Sequence, residues 1–150
     1  DRTNLRNLVA KKLAPSPEEM ITLDTSALCA LANRRDPQHT RAKAAFLADR
    51  GPHLVPAGIL AEVGYLIEAR LGTSAVLRFL ESLSADLTLD CGERDLGRVA
   101  ELVQRYADLP LGLADAFVVA CAERHGGDIL AFDNDFLVVA REGRLRVLPE

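Results

Sequence analysis

The sequence predicts an α/β protein whose parallel sheet is covered by helices on both faces. Short apolar runs of strand length alternate along the chain with longer stretches in which apolar residues recur at helical spacing. That alternation is the pattern of strands linked by helical crossovers, which forces neighbouring strands parallel and buries them between two helical layers. At 150 residues, with 49% hydrophobic and 27% charged residues, the chain suits one domain with a real core.

Met20-Ile21-Thr22-Leu23-Asp24 reads as a buried strand, followed by a helix through Ala27 and Leu28 to Leu31. Pro37 opens a second helix through Ala42, Ala45, Phe46 and Leu47. His53-Leu54-Val55 is a short strand. Pro56 then begins a helix with Ile59, Leu60, Val63, Leu66 and Ile67 on one face, ended by Gly72. Val76, Leu77, Leu80 and Leu83 mark the next helix, and Leu87-Thr88-Leu89-Asp90 a third strand. Glu93 to Tyr106 is helical, with Leu96, Val99, Ala100 and Val103 on one side. Pro110 breaks the chain before a helix from Leu113 to His125, which Gly126-Gly127 close as a C-terminal cap. Ile129-Leu130-Ala131-Phe132 and Leu145-Arg146-Val147-Leu148 supply strands four and five.

Residues 1–19 stand apart. Leu5, Leu8, Val9 and Leu13 suit one face of a short helix, and Pro15-Ser16-Pro17 reads as a linker. Met20, the only methionine, directly precedes the first strand, so the domain is taken as 20–150 and the preceding segment as an extension or an appended piece. No apolar run approaches the roughly 20 residues of a membrane span, and the start of the chain has no signal-peptide core. Cys29, Cys91 and Cys121 are odd in number and form no C-x-x-C pair. This argues against a disulfide framework or a zinc site and for a reducing cytoplasm.

Twenty-two acidic residues make any single one weak testimony, so position has to discriminate. Asp24 and Asp133 each close an apolar strand at its carboxyl end, where open α/β sheets bind ligands as the strand order reverses. Carboxylates projecting from neighbouring strand ends repel each other unless a cation lies between them. Asp115 is in the first turn of its helix, where it favours the dipole, but its company is Leu113, Ala114, Ala116, Phe117 and Val118. Glu62 is set between Leu60-Ala61 and Val63. An acid inside an apolar run either finds a partner or shifts its pKa.

Asp90 also ends a strand, but Cys91-Gly92-Glu93 follow, and helix N-capping accounts for it. Asp95, Asp108 and Asp36 have similar cap or turn readings. His39, His53 and His125 show no metal-ligand spacing. Phosphate-loop, dinucleotide and serine-hydrolase motifs are absent.

Taken in order, Leu23-Asp24-Thr25-Ser26-Ala27-Leu28, Ala61-Glu62-Val63, Leu111-Gly112-Leu113-Ala114-Asp115-Ala116 and Phe132-Asp133-Asn134-Asp135-Phe136 resemble the signature of the PIN domain. The likeness is greatest to the VapC-type toxin ribonucleases of bacterial toxin–antitoxin pairs, and Arg105 to Pro110 adds to it. It spans Met20 to Leu148. The resemblance implies a three-layer α/β/α fold with strand order 3-2-1-4-5, which makes Asp24 and Asp133 neighbours and leaves Asp90 on an edge strand. It implies that Asp24, Glu62, Asp115 and Asp133 are the catalytic carboxylates and bind Mg²⁺, with Mn²⁺ as substitute. Ser26 is expected to orient Asp24, with Asp135 as an outer carboxylate. The implied reaction is hydrolysis of RNA to 5′-phosphate and 3′-hydroxyl ends. A non-catalytic PIN-like regulatory domain is the alternative.

One departure is Ala131, where related sequences often carry Thr or Ser, and the missing hydroxyl thins the hydrogen bonding around Asp133. A haloacid-type phosphatase would need a second acid two residues after Asp24, where Ser26 stands. The net charge of −4 does not advertise a nucleic-acid binder, although a nuclease site concentrates negative charge that metal ions neutralise. Apart from Lys11, Lys12 and Lys43 the basic residues are all arginine, which suits phosphate contact and equally a GC-rich genome. The resemblance further implies a small antitoxin partner and a homodimer. The apolar helices around Leu28–Leu31 and Ile59–Ile67 look richer than one sheet face requires, which suits subunit contacts.

Overall fold

A computed structural model describes residues 20–49, 51–109 and 111–150. The extension read over residues 1–19 and the break at Pro110 lie outside the described residues. The elements are β1 (Ile21–Leu23), α1 (Thr25–Ala32), α2 (His39–Ala48), β2 (His53–Pro56), α3 (Leu60–Leu71), α4 (Thr73–Ala85), β3 (Thr88–Asp90), α5 (Leu96–Arg105), α6 (Leu113–Arg124), β4 (Asp128–Leu130), α7 (Leu137–Glu142) and β5 (Arg146–Leu148). Short 3₁₀ turns, Ala57–Ile59 and Glu93–Asp95, lead into α3 and α5.

The five strands pair in parallel in the order β3-β2-β1-β4-β5. Thr22 lies opposite Leu54 on one side and Ile129 on the other, so β1 is central. From β1 the chain steps outward to β2 and β3, then returns across the sheet to β4. The reversal, with right-handed crossovers, sends α1–α4 and α5–α6 to opposite faces. It also opens a crevice at the carboxyl ends of β1 and β4.

Helix α6 shows how sequence sets the layering. Ala116, Val118, Val119, Ala120, Cys121 and Ala122 are all buried, and a helix apolar on every side has to be covered on every side. It rests on β1, β2 and β4, with α5 over it. Its C-terminus closes as the glycine pair requires. Gly126 and Gly127 have φ of 103° and 90°, and the Gly127 amide donates to the Ala122 carbonyl at 2.8 Å. A Cβ at Gly127 would run into the Arg144 carbonyl.

Four readings need correction, one being the face of α5, where Val99 and Leu102 are buried while Leu96, Ala100 and Val103 are exposed. Pro56 is the last residue of β2, paired with Asp90, rather than the start of a helix. Helix α7 was not foreseen. Its six residues are too short for a periodic signal, and only Phe136, Val139 and Ala140 carry the i, i+3, i+4 mark, with Phe136 fully buried. The apolar surplus assigned to subunit contacts is largely spent inside, since Leu28, Ile59, Val63 and Ile67 are core residues. The large apolar side chains that reach solvent include Tyr65 on α3 and Leu77 and Leu80 on α4. Among the described residues no helix is long and apolar enough to cross a membrane.

Candidate functional site

Asp24 leaves the carboxyl end of β1 and caps α1. Its Oδ1 accepts from the Ala27 amide at 2.8 Å, which occupies one of the donors a helix start leaves unpaired. The Ser26 hydroxyl donates to the same carboxylate, 2.7 Å from Oδ1 and 2.9 Å from Oδ2. That hydroxyl also accepts from the Phe132 amide at 2.9 Å. Ser26 therefore ties the end of β1 to the segment leaving β4, and it fixes the Asp24 carboxylate and the approach to Asp133 with one side chain. Ala131 in that segment is buried, and its amide donates to the Leu148 carbonyl at 3.0 Å.

Beside this clamp opens a cleft of about 580 Å³ whose walls include Ser26, Asp36, Glu62, Arg70, Asp115, Phe132, Asp133 and Asp135. Asp24, only 1% exposed, lies next to its wall residues Thr25 and Ser26. Glu62 comes from the first turn of α3 and Asp115 from the first turn of α6, where Oδ2 accepts from the Gly112 amide at 3.3 Å. Asp133 accepts from the Asp135 amide at 3.2 Å. The structure thus gathers Asp24, Glu62, Asp115, Asp133, Ser26 and Asp135, the residues singled out in the sequence. It adds Asp36, whose Oδ1 accepts from the Gln38 amide at 2.8 Å as a turn residue should, yet which also lines the cleft. The basic wall residue is Arg70, in the last turn of α3. Asp36 carries only the mark of a turn in the sequence and Arg70 none that points to the cleft, and only the tertiary fold brings them here.

The electrostatics are those of uncompensated charge. Burial pushes the Asp24 carboxyl up to about 8, with Asp133 and Asp115 adding repulsion against the stabilising bonds from Ala27 and Ser26. Burial likewise lifts Asp115 to about 6, helped by Asp135, Asp133 and Glu62. Asp133 is raised as well, first by burial and then by Asp135. Among the described residues none of these acids forms an ion pair with a lysine, arginine or histidine. An all-oxygen donor set that repels itself and, among the described residues, is ion-paired to no side chain fits a hard divalent ion such as Mg²⁺.

The acids beyond β3 behave otherwise. Asp90, read as a cap, and Asp95, read as a cap or turn residue, are held by Arg124 at the end of α6. Its Nε lies 2.6 Å from Asp95 Oδ1, and its Nη2 lies 2.9 Å from Asp95 Oδ2 and 2.8 Å from Asp90 Oδ1. Asp90 keeps a local bond from the Gly92 amide at 3.1 Å, but its Oδ2 meets His125 Nε2 at 3.0 Å. Asp95 makes no side-chain capping bond. Ligand atoms of Asp90, Cys121 and His125 fall within 4.8 Å of one another. A metal there would sit against the Arg124 guanidinium, 3.4 Å from His125 Nε2, so the cluster is already served by a cation of its own.

A family profile described as the PIN domain matches residues 21–142. The chain belongs to the PIN-domain family. Within it, the chain is similar to Ribonuclease VapC26 of Mycobacterium tuberculosis, 30% identical over 133 residues that cover 85% of this chain and 98% of the relative. Among solved structures it resembles M. tuberculosis VapC20, described as a Sarcin-Ricin-loop-cleaving toxin, with a TM-score of 0.72 and 25% identity over 79% of this chain and 94% of that one. It also shares its fold with VapBC2 of Rickettsia felis, crystallised on promoter DNA, at a TM-score of 0.63 and 16% identity over 85% and 96% of the two chains.

Proposed function

We propose that this protein is a metal-dependent endoribonuclease and the toxin of a toxin–antitoxin pair. The observation that carries the reading is a cleft lined by Glu62, Asp115 and Asp133 with the buried Asp24 beside it, in which Asp24, Asp115 and Asp133 have raised pKa values and, among the described residues, none of the four is ion-paired. The VapC relatives support the choice of RNA over other phosphodiesters.

Asp24, Glu62, Asp115 and Asp133 would hold Mg²⁺, with Mn²⁺ as substitute, and Asp135 would stand outside them. When bound, the metal supplies Lewis acidity toward phosphate oxygens and lowers the pKa of water, the two requirements for in-line hydrolysis near neutral pH. The chain's own part is to present oxygens at fixed positions. Ser26 holds Asp24 in one rotamer, and the helix starts aim Glu62 and Asp115 from two sides. The products are a 5′-phosphate and a 3′-hydroxyl.

Residues 20–150 form the catalytic domain in this reading, and residues 1–19 an extension. The partner is an antitoxin that inserts an arginine among the carboxylates, since a guanidinium and a divalent ion answer the same negative field. The toxin is a homodimer, with the exposed Tyr65, Leu77 and Leu80 surface as the contact. Unpaired Cys29, Cys91 and Cys121 suit work in the cytoplasm. The test is cleavage of labelled RNA with Mg²⁺, with Mn²⁺ and with EDTA. Cleavage that persists in EDTA rejects the mechanism.

A further inference from the structure

Arg70 is the basic residue in the wall of a cleft otherwise rich in acids. An arginine among Asp36, Glu62, Asp115, Asp133 and Asp135 would ordinarily form an ion pair, yet among the described residues Arg70 makes neither an ion pair nor a hydrogen bond. Its place on α3 explains the separation. Glu62, Leu66 and Arg70 recur at i, i+4 and i+8, so they share one helix face, and all three line the cleft. Eight residues at 1.5 Å each put the Arg70 backbone about 12 Å beyond that of Glu62 along the cleft. The last turn of a helix favours a cation, but that alone does not choose the face that looks into the cleft.

We infer that Arg70 grips a backbone phosphate of the RNA adjoining the one that is cut, and so sets the path of the strand across the carboxylates. This rests on the ribonuclease reading. A cleft of one sign attracts metal but repels the polyanion it must bind. A forked donor at its far end answers the next phosphate with two parallel hydrogen bonds. The contact is the same in ground and transition states, so it acts on binding rather than on turnover.

The test compares wild type, Arg70→Ala and Arg70→Lys on a fluorescent single-stranded oligoribonucleotide pool in Mn²⁺, at several KCl concentrations. Arg70→Ala should raise KM about tenfold with kcat within about twofold. Its salt dependence should flatten by about 0.7 in the slope of log KM against log salt, one phosphate contact's worth on a single strand. Arg70→Lys should regain part of the loss, because it restores the charge without the fork. The Mn²⁺-induced rise in Tm should be the same in all three. An unchanged KM and salt slope in Arg70→Ala overturns the inference, and so does an altered Mn²⁺ response, which would show that Arg70 acts on the carboxylates instead. Should wild type bind the pool without cutting it, the ribonuclease reading falls. Fluorescence anisotropy of the same three proteins then decides the Arg70 contact by itself, and equal affinities reject it.

Discussion

Acids gather near strand ends in two parts of this molecule, and their electrostatics are opposite. At the ends of β1 and β4, burial and mutual repulsion lift Asp24, Asp115 and Asp133. Near the end of β3, the bonds from His125 and Arg124 outweigh burial and hold Asp90 below the usual carboxylate range. Asp95, 3% exposed, is as deeply buried as Asp24 but faces a guanidinium through two hydrogen bonds. Both regions pay the desolvation cost of burying carboxylates. One recovers it from within the fold, and the other is left to recover it from something that binds. Burial of an acid is therefore no guide to function until its counter-charge has been found.

The sharpest way to break this contrast is to neutralise one acid in each region. Asp24→Asn should cut cleavage at least a hundredfold, as should Asp115→Asn, the scale on which removing one preorganised charge-stabilising group acts. In the metal-free protein Asp24→Asn should raise Tm by about 2–4 °C, because it removes a carboxyl whose ionisation is opposed first by burial and then by Asp133 and Asp115, and preserves the acceptor for the Ala27 amide. Mn²⁺ should raise the Tm of wild type and leave that of Asp24→Asn nearly still. Full activity in either variant, measured on labelled RNA, would remove these carboxylates from the mechanism.

In the paired region the largest effect should come from the cation. Arg124→Ala strands Asp90 and Asp95 without their donor and should cost about 3 kcal/mol in urea denaturation. Cleavage per folded molecule should stay within about twofold, because this network is not part of the cleft. A variant as stable as wild type would mean that water serves Asp95 as well as arginine does.

Asp90 alone supplies a smaller, pH-dependent version of the same contrast. Its folded pKa is depressed, so its contribution is present above the unfolded value of about 3.9 and is lost as pH falls through the folded one. As pH falls from 6 to 3 wild type should therefore lose stability faster than Asp90→Asn, with the divergence appearing only as pH falls through the carboxylate range. Parallel curves from chemical denaturation across that range would show that the ion pair contributes nothing net.

How much of this could be read beforehand depended on the range of the interaction. Strand-end Asp24 and Asp133 stood out because a short apolar run ended on an acid, and Glu62 and Asp115 because an apolar run contained one. The sheet order came from the resemblance, and the pairing agrees with it. The local readings of Asp90 as a cap and of Asp95 as a cap or turn residue missed their cation, because Arg124 lies 34 and 29 positions away and no local pattern couples them. Asp36 was a correct turn residue whose second exposure, to the cleft, arises only when α1 folds against α3. Arg70 was hidden because an arginine near a helix end is ordinary. Helix α7 was hidden because a single buried turn has no period.

The smallest expected effect belongs to residues 1–19, whose removal tests whether either region leans on anything before β1. The described chain is anchored from its first residue, since the Met20 amide donates to the His125 carbonyl at 3.0 Å, at the end of α6. That bond lies at the amino end of β1, while the cleft lies at the carboxyl end. Pro15-Ser16-Pro17 stands between the segment and the anchor, and prolines supply no amide to extend the pairing. A protein beginning at Met20 should therefore keep the Mn²⁺-dependent cleavage rate and the urea midpoint of the full chain, each within experimental scatter. A fall in the midpoint with activity retained would place a contact of the segment on the paired-acid side of the fold. A fall in activity with the midpoint retained would place one at the cleft, and the separation of the two regions argued from their charges would no longer hold.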